Sequence, residues 1–363
     1  MKFDIEPEEK KEKKNDKIFK KKIYYILLAF FLFVFLILLI TYVILSSGNK
    51  TKQPANPPKQ INDVKKTEES SIKIYDENSN DRPIAFMIDN NIGDAKHAGL
   101  QDSYLNYEII VEGGLTRIMA IYKDKKVPLI GPIRSARHYF LDYALENDAI
   151  YAHFGWSPQA ENDIKQMGVN NINGITDPEP YRRDEKAKSP HNVFTNISFI
   201  KSYLEKKKYD SESNNWKLLN LSAKEINLAT ESSPDIANKV TMTYSENEYR
   251  TYSYDQSNKY YLRSQNGKPH LDRKSNEQLH YKNIIIMKVK NKSIDNEGRQ
   301  TLENIGTGMG YYITNGYYRK INWSKQTRTA KTNYTYEDGS AVTLNDGNTF
   351  IQIVPENSSI NIE

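Results

Sequence analysis

The chain has 363 residues, of which 27% are charged and 38% hydrophobic, and this balance excludes a wholly disordered or fibrous protein. It contains no cysteine, so it has no disulfide, no thiolate metal site, no thiol nucleophile and no cysteine for lipid attachment. The net charge of +5 includes +3 from residues 1–22, and the small remainder does not favour nucleic-acid binding. The length allows about two domains of ~100–200 residues each.

A long apolar segment near the N-terminus predicts a transmembrane helix. Residues 23–45 carry no charge, and 18 of these 23 residues are Leu, Ile, Phe or Val. A helix of this length measures about 34 Å, enough to cross the ~30 Å hydrocarbon core of a bilayer. Residues 10–22 hold eight lysines and two acidic residues, so the positive-inside rule places the tail of residues 1–22 in the cytoplasm. The lipid bilayer is thus a predicted partner, and most of the chain is predicted to be extracytoplasmic.

A cleaved signal peptide is the alternative interpretation of this segment. Ser46 and Gly48 form the small-x-small pattern that signal peptidase accepts. The apolar part of a signal peptide usually has ~7–15 residues, so the length favours the transmembrane helix. The following residues, 46–82, contain three prolines among mainly polar residues, and this composition predicts a flexible linker.

The fold class predicted beyond the linker is α+β, with an α/β-type mixed domain over residues 83–221. Short β-rich runs separated by glycine and proline predict strands at residues 84–88, 107–112, 118–122, 127–130 and 149–153. Amphipathic spacing predicts helices at residues 135–147, 157–168 and 199–207. The second of these helices begins with Ser157 as N-cap and Pro158 at the first helical position, and Gly168 ends it.

Residues 240–355 predict a second domain that is mainly antiparallel β. Asn-Gly or Asp-Gly pairs stand at residues 315–316, 338–339 and 346–347, and such pairs supply the positive φ of tight hairpin turns. Residues 284–289 form the most apolar run and are expected at the centre of the sheet. Tyrosines concentrate in residues 311–323, where they favour either sugar or peptide binding or burial as sheet core.

Several runs resemble those of the YerB-like family of extracytoplasmic bacterial proteins of unknown function. The similar runs cover about residues 82–355 and include PIAFMIDN, YEIIVEGGLTRIMAIY, GPIRSARHYFLDYALENDAIYAH, SPHNVF, GYYITNG, INW and TLNDGNTFIQIVP. The resemblance implies a two-part ectodomain held at the outer face of a bacterial membrane, with no established reaction. Family members typically carry a lipid-modified cysteine at the membrane end. This chain has none, so a transmembrane helix is expected to replace the lipid anchor.

The first predicted domain holds a dense group of polar residues that could form a site. If residues 107–112 are a strand, Glu108 and Glu112 share one face, where paired acids could divide acid and base roles or bind a hard cation. Ion pairs with nearby arginines are the structural alternative. The candidate residues are Asp89, Glu108, Glu112, Arg117, Arg134, Arg137, His138, His153 and His191.

Arg134 and Arg137 give the most specific hypothesis. They open a predicted helix, whose positive end repels cations by ~0.3–1 kcal/mol each, so a negative group should lie beside them. That group is either Asp89 or Glu112, or a bound anion held by helix N–H groups and guanidinium donors. The expected anions on the outer side of a membrane are phosphates or carboxylates of wall polymers, lipid head groups or a peptide terminus.

Serine hydrolase chemistry and metal binding have weaker signals. The run from Gly155 to Gln159 places Ser157 where a nucleophile elbow would, but the glycine expected at residue 159 is replaced. No pair of histidines has metal-ligand spacing, so no metal and no cofactor are predicted. His153 and His191 are expected to face a cleft, whereas His97 and His270 are expected in exposed loops.

Three functions remain open. The leading hypothesis is a non-enzymatic binding or scaffolding protein of the cell envelope, whose acidic and basic cluster holds an anionic wall polymer, a peptide or a protein partner. The alternative is a cell-envelope hydrolase that uses the same carboxylates, histidines and arginines. In the third interpretation the cluster joins the two domains and has no ligand. An enzyme requires an open pocket with a perturbed acid or histidine, whereas a structural cluster is filled by its own ion pairs.

Overall fold

The computed structural model describes residues 22, 27–41, 71–93, 96–230 and 235–363. The chain divides into two compact units, residues 1–67 and residues 68–363. In the first unit, residues 27–41 are helical and their side chains are mostly exposed. Within the described part of the chain, no helix is both long enough and apolar enough to cross a membrane. Residues 23–26 and 42–45 of the predicted transmembrane helix, and residues 46–70 of the predicted linker, lie outside the described residues.

The second unit begins with an alternation of strands and helices. The α-helices in its described residues are α1 (His138–Glu146), α2 (Pro158–Gln166) and α3 (Ile197–Lys207). Its first eight strands are β1 (Ile84–Asp89), β2 (Leu105–Ile110), β3 (Thr116–Tyr122), β4 (Ile150–His153), β5 (Asn171–Asn173), β6 (Arg182–Arg183), β7 (Val193–Phe194) and β8 (Leu221–Ser222). The N-cap of α2 forms as predicted, because Oγ of Ser157 accepts a hydrogen bond from the backbone N–H of Ala160 at 3.2 Å.

The remainder of the second unit contains strands joined by turns. These strands are β9 (Asp235–Ile236), β10 (Lys239–Ser245), β11 (Glu248–Asp255), β12 (Tyr260–Gln265), β13 (Lys268–Pro269), β14 (His280–Tyr281), β15 (Asn283–Val289), β16 (Asn291–Ser293), β17 (Gln300–Leu302), β18 (Gly306–Thr314), β19 (Tyr317–Lys325), β20 (Asn333–Tyr336), β21 (Leu344–Asn345), β22 (Thr349–Pro355) and β23 (Ile360–Ile362). Asn315 and Gly316 join β18 to β19 with φ of 51° and 83°, which confirms that predicted hairpin turn.

Two sheets organise the second unit. A mixed sheet of 11 strands has the order β20-β19-β18-β15-β22-β2-β3-β1-β4-β5, with β9 beside β19. In it β1, β4 and β5 are parallel neighbours, and β22 is parallel to both β2 and β15. The second sheet is antiparallel, with the order β13-β12-β11-β10-β23 and β14 beside β12. Strands of both predicted domains lie in the mixed sheet, and the division into residues 83–221 and 240–355 stays a prediction.

The mixed sheet is the middle layer of the second unit, because side chains alternate between its two faces. Tyr107 and Ile109 of β2 belong to an apolar cluster that includes Phe140 of α1. Ile118 of β3 belongs to a cluster on the opposite face, which includes Tyr252 of the antiparallel sheet. The α1 and α2 helices therefore cover one face of the mixed sheet, and α3 and the antiparallel sheet cover the other.

Two predicted features of the sheets are wrong. Residues 127–130 do not form a strand, since Ile130 makes only an isolated bridge with Thr195. Pro128 has no N–H to contribute to a ladder. The turn at residues 346–347 does not close a hairpin, because β22 is paired on both sides with the parallel strands β2 and β15. The preceding strand β21 pairs with β8 instead.

Candidate anion-binding site

Asp89 is the point at which several predicted site residues meet. It is the last residue of β1, and Oδ2 of its buried carboxylate lies 3.1 Å from Nε of Arg134 and 2.5 Å from Nδ1 of His191. Oδ1 accepts a hydrogen bond from the backbone N–H of Asn91 at 3.1 Å. The side chains of Arg134 and His191 remain 26% and 29% exposed, so Asp89 holds two basic groups at the protein surface.

Glu112 makes a second, forked contact with an arginine. Nε and Nη2 of Arg137 donate to its two carboxylate oxygens at 2.5 and 2.9 Å. Burial alone would raise the pKa of Glu112, but the hydrogen bonds from Arg137 outweigh it and hold that pKa below its ordinary value. Glu112 is therefore ionised and already paired.

The predicted strand over residues 107–112 ends early in the structure. The last residue of β2 is Ile110, and Glu112 begins a single 3-10 turn, Glu112–Gly114. Gly113 and Gly114 have φ of 68° and 71°, values in the left-handed region that glycine adopts without strain. Glu112 therefore leaves the face on which it was predicted to lie beside Glu108.

Arg117 is buried near Glu112 and lacks a close carboxylate of its own. Its Nη1 donates to the backbone carbonyl of Ser135 at 2.5 Å, while its Nη2 is 4.0 Å from Oε2 of Glu112. Burial, together with repulsion from Arg137, lowers the pKa of Arg117 to about 10. The surroundings of Arg117 therefore leave its positive charge incompletely compensated.

The backbone places these groups at the carboxyl ends of the parallel strands β1 and β4. The backbone N–H of Ala136 donates to Gly155 and that of Phe154 donates to Arg134, so residues 134–136 cross the strand ends. These extended contacts keep residues 135–137 out of the predicted helix, and α1 begins only at His138. The repulsion expected from the helix dipole consequently applies to Arg137, its N-cap residue, and not to Arg134.

We call this group the arginine cluster. Three guanidinium groups face two carboxylates, so the cluster carries a net charge of +1 when His191 is neutral. Sites of this kind, outside the carboxyl ends of parallel strands, are where open α/β sheets bind ligands. The cluster consists of Asp89, Glu112, Arg117, Arg134, Arg137 and His191.

Glu108 does not belong to the arginine cluster. It lies on the opposite face of the mixed sheet, where Nε of Arg250 and Nη2 of Arg263 contact its two oxygens at 2.6 and 2.7 Å. All three side chains are fully buried. Burial raises the pKa of Glu108, but the two arginines overcome this effect and hold it at about 2. The result is an ionised, sealed contact between the mixed and antiparallel sheets.

The partners of Glu108 could not be found from sequence proximity, because they lie more than 140 residues away. The sequence signal that could have found these partners is the alternation of side chains along β11 and β12. Arg250 occupies the same face of β11 as buried Tyr252, and Arg263 occupies the same face of β12 as buried Tyr261. An arginine two residues from an inward-facing tyrosine indicates a buried cation that needs a carboxylate.

The predicted cleft position of His153 is wrong. Its side chain is fully buried, with Nδ1 2.8 Å from the carbonyl oxygen of Gly155 and Nε2 3.1 Å from Oδ1 of Asn171. Burial lowers the pKa of His153 to about 4. Both ring nitrogens are thus occupied by the protein, and His153 stabilises the end of β4.

His97 and His270 were expected in exposed loops, and this expectation is also wrong. Both are buried, and Nε2 of His270 lies 2.5 Å from Nδ1 of His97. Nε2 of His97 lies 2.6 Å from the carbonyl oxygen of Asp89, and Nδ1 of His270 contacts Nη1 of Arg263. The histidine pair therefore links the end of β1 to the buried contact at Glu108. A separation of 173 residues hides this pair from sequence reasoning.

Ser157 and the remaining titratable groups offer little chemistry. Ser157 is buried and its hydroxyl oxygen serves as the N-cap acceptor of α2. Nε2 of His138 lies 3.4 Å from the hydroxyl of Thr301. Over the residues that the structure describes, no group of three His, Asp or Glu side chains could hold a metal ion.

This architecture and its motifs define a known class of protein. Residues 70–210 match the model described as Protein of unknown function (DUF3048) N-terminal domain, and residues 240–351 match the corresponding C-terminal domain. The two matches together cover more than half of the chain, which belongs to this DUF3048 family.

Comparison with individual proteins points to one relative. The chain is 28% identical over 279 residues to the Bacillus subtilis (strain 168) protein named "Putative lipoprotein YerB", and the alignment covers 76% of this chain and 82% of that protein. The crystal structure of YerB protein from Bacillus subtilis superposes with a TM-score of 0.68 at 27% identity, and the match covers 77% of this chain and 94% of the solved chain. The resemblance to the YerB-like family is therefore confirmed.

Proposed function

We propose that this protein is a binding or scaffolding protein held at the outer face of a bacterial membrane, and that the arginine cluster binds an anionic group of its ligand or partner. The observation that carries the proposal is the charge imbalance at the ends of β1 and β4. Three guanidinium groups meet two carboxylates there, and Arg134 remains 26% exposed beside them. A phosphate or carboxylate would supply the missing negative charge and accept hydrogen bonds from the arginines.

The contacts of the acidic residues favour binding over hydrolysis. Glu108 and Glu112 are both paired with arginines, and these pairs hold the pKa of each carboxyl below its ordinary value. A general acid at neutral pH needs the opposite shift. Ser157 is occupied as a helix cap. In this proposal the carboxylates hold the arginines in position.

The proposed anchor is a transmembrane helix over residues 23–45 with the N-terminus in the cytoplasm. Its support is the uncharged apolar run of 23 residues and the lysine-rich flank before it. The relative from Bacillus subtilis is described as a lipoprotein, which fits attachment to a membrane. Since this chain has no cysteine, it cannot carry a lipid anchor on cysteine. The apolar segment is the proposed replacement for that anchor.

Protease treatment of intact cells tests the anchor and its orientation. We expect the protease to remove epitopes placed beyond residue 71 and to leave an N-terminal epitope protected. The intact mass of the membrane-bound protein should include residues 1–45. A mature N-terminus near residue 49 would show that the segment is a cleaved signal peptide, and full protection of the C-terminal epitope would reject the orientation.

Phosphate titration tests the anion site in the full chain, purified in detergent. Inorganic phosphate at constant ionic strength should raise the unfolding temperature, because a ligand of the native state stabilises it by about 2.7 kcal/mol at 100 times its Kd. The variant R134Q/R137Q should lose this response, and R134K/R137K should keep part of it because charge remains while forked geometry is lost. The matched control K125Q/K126Q removes two exposed charges elsewhere and should respond like the native protein.

Two outcomes would contradict the anion site. One is an equal phosphate response in native protein and in R134Q/R137Q that remains folded. The other is that neither phosphate nor acetate, a simple carboxylate, raises the unfolding temperature of the native protein. Circular dichroism of each variant separates loss of binding from loss of fold.

A further inference from the structure

Lys282 and Asn315 lie beside each other where β15 begins and β18 ends. The first residue of β15 pairs with the last residue of β18, so their chain neighbours Lys282 and Asn315 are adjacent across the two strands. Nζ of Lys282 donates to Oδ1 of Asn315 at 2.5 Å, although the two residues are 33 positions apart in the chain. An amine nitrogen is thus held against a side-chain amide, in a part of the sheet that contains none of the arginine cluster.

Two further contacts fix the side chain of Lys282. Its Nζ also donates to the carbonyl oxygen of Lys259 at 3.1 Å. Its stem packs directly against Gly347, where an added Cβ atom would come within 2.6 Å of Cβ of Lys282. The amine is therefore already positioned at the amide and loses little freedom in any reaction with it.

The amide of Asn315 is held from its other side. Its Nδ2 donates to Oε1 of Glu225 at 3.0 Å and to the carbonyl oxygen of Ile226 at 3.1 Å. Carboxylate and carbonyl oxygens accept hydrogen bonds and an ammonium only donates them, so these contacts fix which end of the amide is oxygen. Only 8% of Asn315 is exposed, which leaves water little access to its amide carbon.

The distance between the two side chains brings the amine within reach of the amide carbon. A carbonyl bond is about 1.23 Å long, so Nζ of Lys282 lies no more than about 3.7 Å from Cγ of Asn315. Groups about 3–3.5 Å apart are close enough to react when they are correctly oriented. A change in the terminal torsion angles of Lys282 moves Nζ from the amide oxygen to the face of the amide carbon.

The surrounding charges favour a reactive amine and a proton acceptor beside the amide. Burial lowers the pKa of Lys282, an effect that Glu225 opposes and Lys259 reinforces. A lysine with a lowered pKa has a larger share of free amine, which is the nucleophilic form. Two hydrogen bonds from Nζ of Lys259, both of 2.9 Å, hold the pKa of Glu225 below its ordinary value, so its carboxylate is ionised.

We propose that Lys282 and Asn315 join in an intramolecular amide cross-link. The neutral Nζ of Lys282 attacks Cγ of Asn315 and forms a C–N bond. Glu225 takes the proton that the attacking nitrogen releases and delivers it to Nδ2, to which it is already hydrogen-bonded. The bond from Cγ to Nδ2 then breaks and ammonia leaves. One amine and one primary amide are converted to one secondary amide and one ammonia, without an oxidant or a cofactor.

The cross-link ties neighbouring strands together in a chain that has no cysteine. It closes the loop of residues 282–315 and joins the start of β15 to the turn between β18 and β19. Covalent closure of a loop stabilises a folded protein mainly by restricting its unfolded state. The modification is independent of anion binding and goes beyond the proposed function.

Peptide mass spectrometry of the purified full chain detects the cross-link. Trypsin should release a branched peptide that joins residues 275–288 to residues 300–319, with the summed mass of its two arms minus one ammonia. Cleavage after Lys282 should be lost, because trypsin requires a free lysine side chain. The branched peptide contains both reacting residues, so its presence in the native protein does not depend on any variant.

Three variants separate the roles of the side chains. K282R keeps a positive charge and a hydrogen-bond donor but has no nucleophilic amine, so it should give the two arms unlinked. The matched control K259R changes the neighbouring lysine, keeps the ion pair with Glu225 and should cross-link like the native protein. E225Q removes the proton acceptor and should accumulate the branched peptide at least about tenfold more slowly after purification.

Two results would overturn the cross-link. One is native protein without the branched peptide after prolonged incubation at neutral pH. The other is a loss of ammonia that persists in folded K282R, which would place the reaction at the backbone of Asn315 and Gly316. Equal rates of cross-linking in the native protein and in folded E225Q would overturn the role of Glu225. Circular dichroism shows whether each variant has kept its fold.

Discussion

Arg263 donates through Nη1 to Nδ1 of His270, and this contact fixes the protons of both buried histidines. A guanidinium only donates, so Nδ1 of His270 is an acceptor and the proton is on Nε2. That proton faces Nδ1 of His97, whose own Nε2–H faces the carbonyl oxygen of Asp89. Both rings are therefore neutral, and an added proton has no acceptor within this chain of contacts.

Acid should therefore destabilise the protein in a defined pH window. Burial lowers the pKa of His97 to about 4 and that of His270 well below its ordinary value. The unfolded state takes up these protons near pH 6.5 and the native state does not. Stability is fully present above about pH 6.5 and falls as the pH drops towards 4, by on the order of 3 kcal/mol for His97 alone.

Urea unfolding of the full chain between pH 7.5 and about 4 measures this loss. The variant H270N should unfold more easily at neutral pH and show a shallower decline with acid. His280 is half-buried and stacks on Tyr260, so H280N serves as a control for the loss of a histidine outside the buried pair. An unchanged slope in H270N would show that the buried pair does not set the acid response.

The variant E108Q should be among the most destabilising single substitutions in the chain. It removes the carboxylate that Arg250 and Arg263 share, so Arg263 loses its carboxylate partner in the buried contact and Arg250 keeps only Glu248. Breaking a buried pair in this way costs about 3–5 kcal/mol. The free energy of unfolding in urea measures the loss. The matched control E161Q breaks an exposed pair with Lys165 and should change stability by less than about 0.5 kcal/mol.

Acid offers a second measurement of the same contact. The pKa of Glu108 is held at about 2, so its contribution to stability is present above about pH 4.5 and is lost as the pH falls towards 2. Native protein should show this additional loss and E108Q should not. If the two proteins lose stability in parallel below pH 4.5, another carboxylate dominates acid unfolding.

Local sequence signals predicted the elements but not their assembly. The strand at β1 and the cap of α2 follow from short apolar runs and from Ser157 with Pro158, signals carried by neighbouring residues. The strand β22 was predicted within an antiparallel domain, yet it pairs in parallel with β2. Such pairing depends on side chains about 240 residues apart, and periodicity within one strand does not encode it.

For the candidate site too, the sequence predicted local features but not the contacts between distant parts of the chain. Asp89, Arg134 and His191 meet as their types suggested, because β1 and the segments beside it end at one sheet edge. Glu108 was separated from them by strand parity, which places it on the opposite face from Tyr107. The sequence therefore predicted the face on which Glu108 lies. It did not predict its partners Arg250 and Arg263, because the antiparallel sheet that supplies them comes from a distant part of the chain.

The role of Ser157 as a helix cap can be tested by substitution. The variant S157A should lower stability by about 1 kcal/mol, because the backbone N–H of Ala160 loses its acceptor. S157D should restore much of the loss, since aspartate is a good N-cap residue. Thermal unfolding of the full chain measures both variants. A stability equal to that of the native protein in S157A would show that the cap contributes nothing.

The buried pair of Glu146 and Lys325 should couple α1 to β19. Oε2 of Glu146 lies 2.6 Å from Nζ of Lys325, both side chains are fully buried, and the hydroxyl of Tyr107 donates to Oε1 at 2.7 Å. The variant K325M leaves the carboxylate buried without its cation and should cost about 3–5 kcal/mol. The double variant E146Q/K325M should lose less than the sum of its single variants, by about 0.5–3 kcal/mol.

A double-mutant cycle in urea measures this coupling, with K217M as the control for loss of a lysine. Lys217 pairs with Glu77 at the surface, where both side chains are 40% or more exposed, so its replacement should cost less than about 1 kcal/mol. Strict additivity of E146Q and K325M would mean that the two groups do not stabilise each other. The distance of 2.6 Å and the complete exclusion of solvent make that result unexpected, because water screens neither charge.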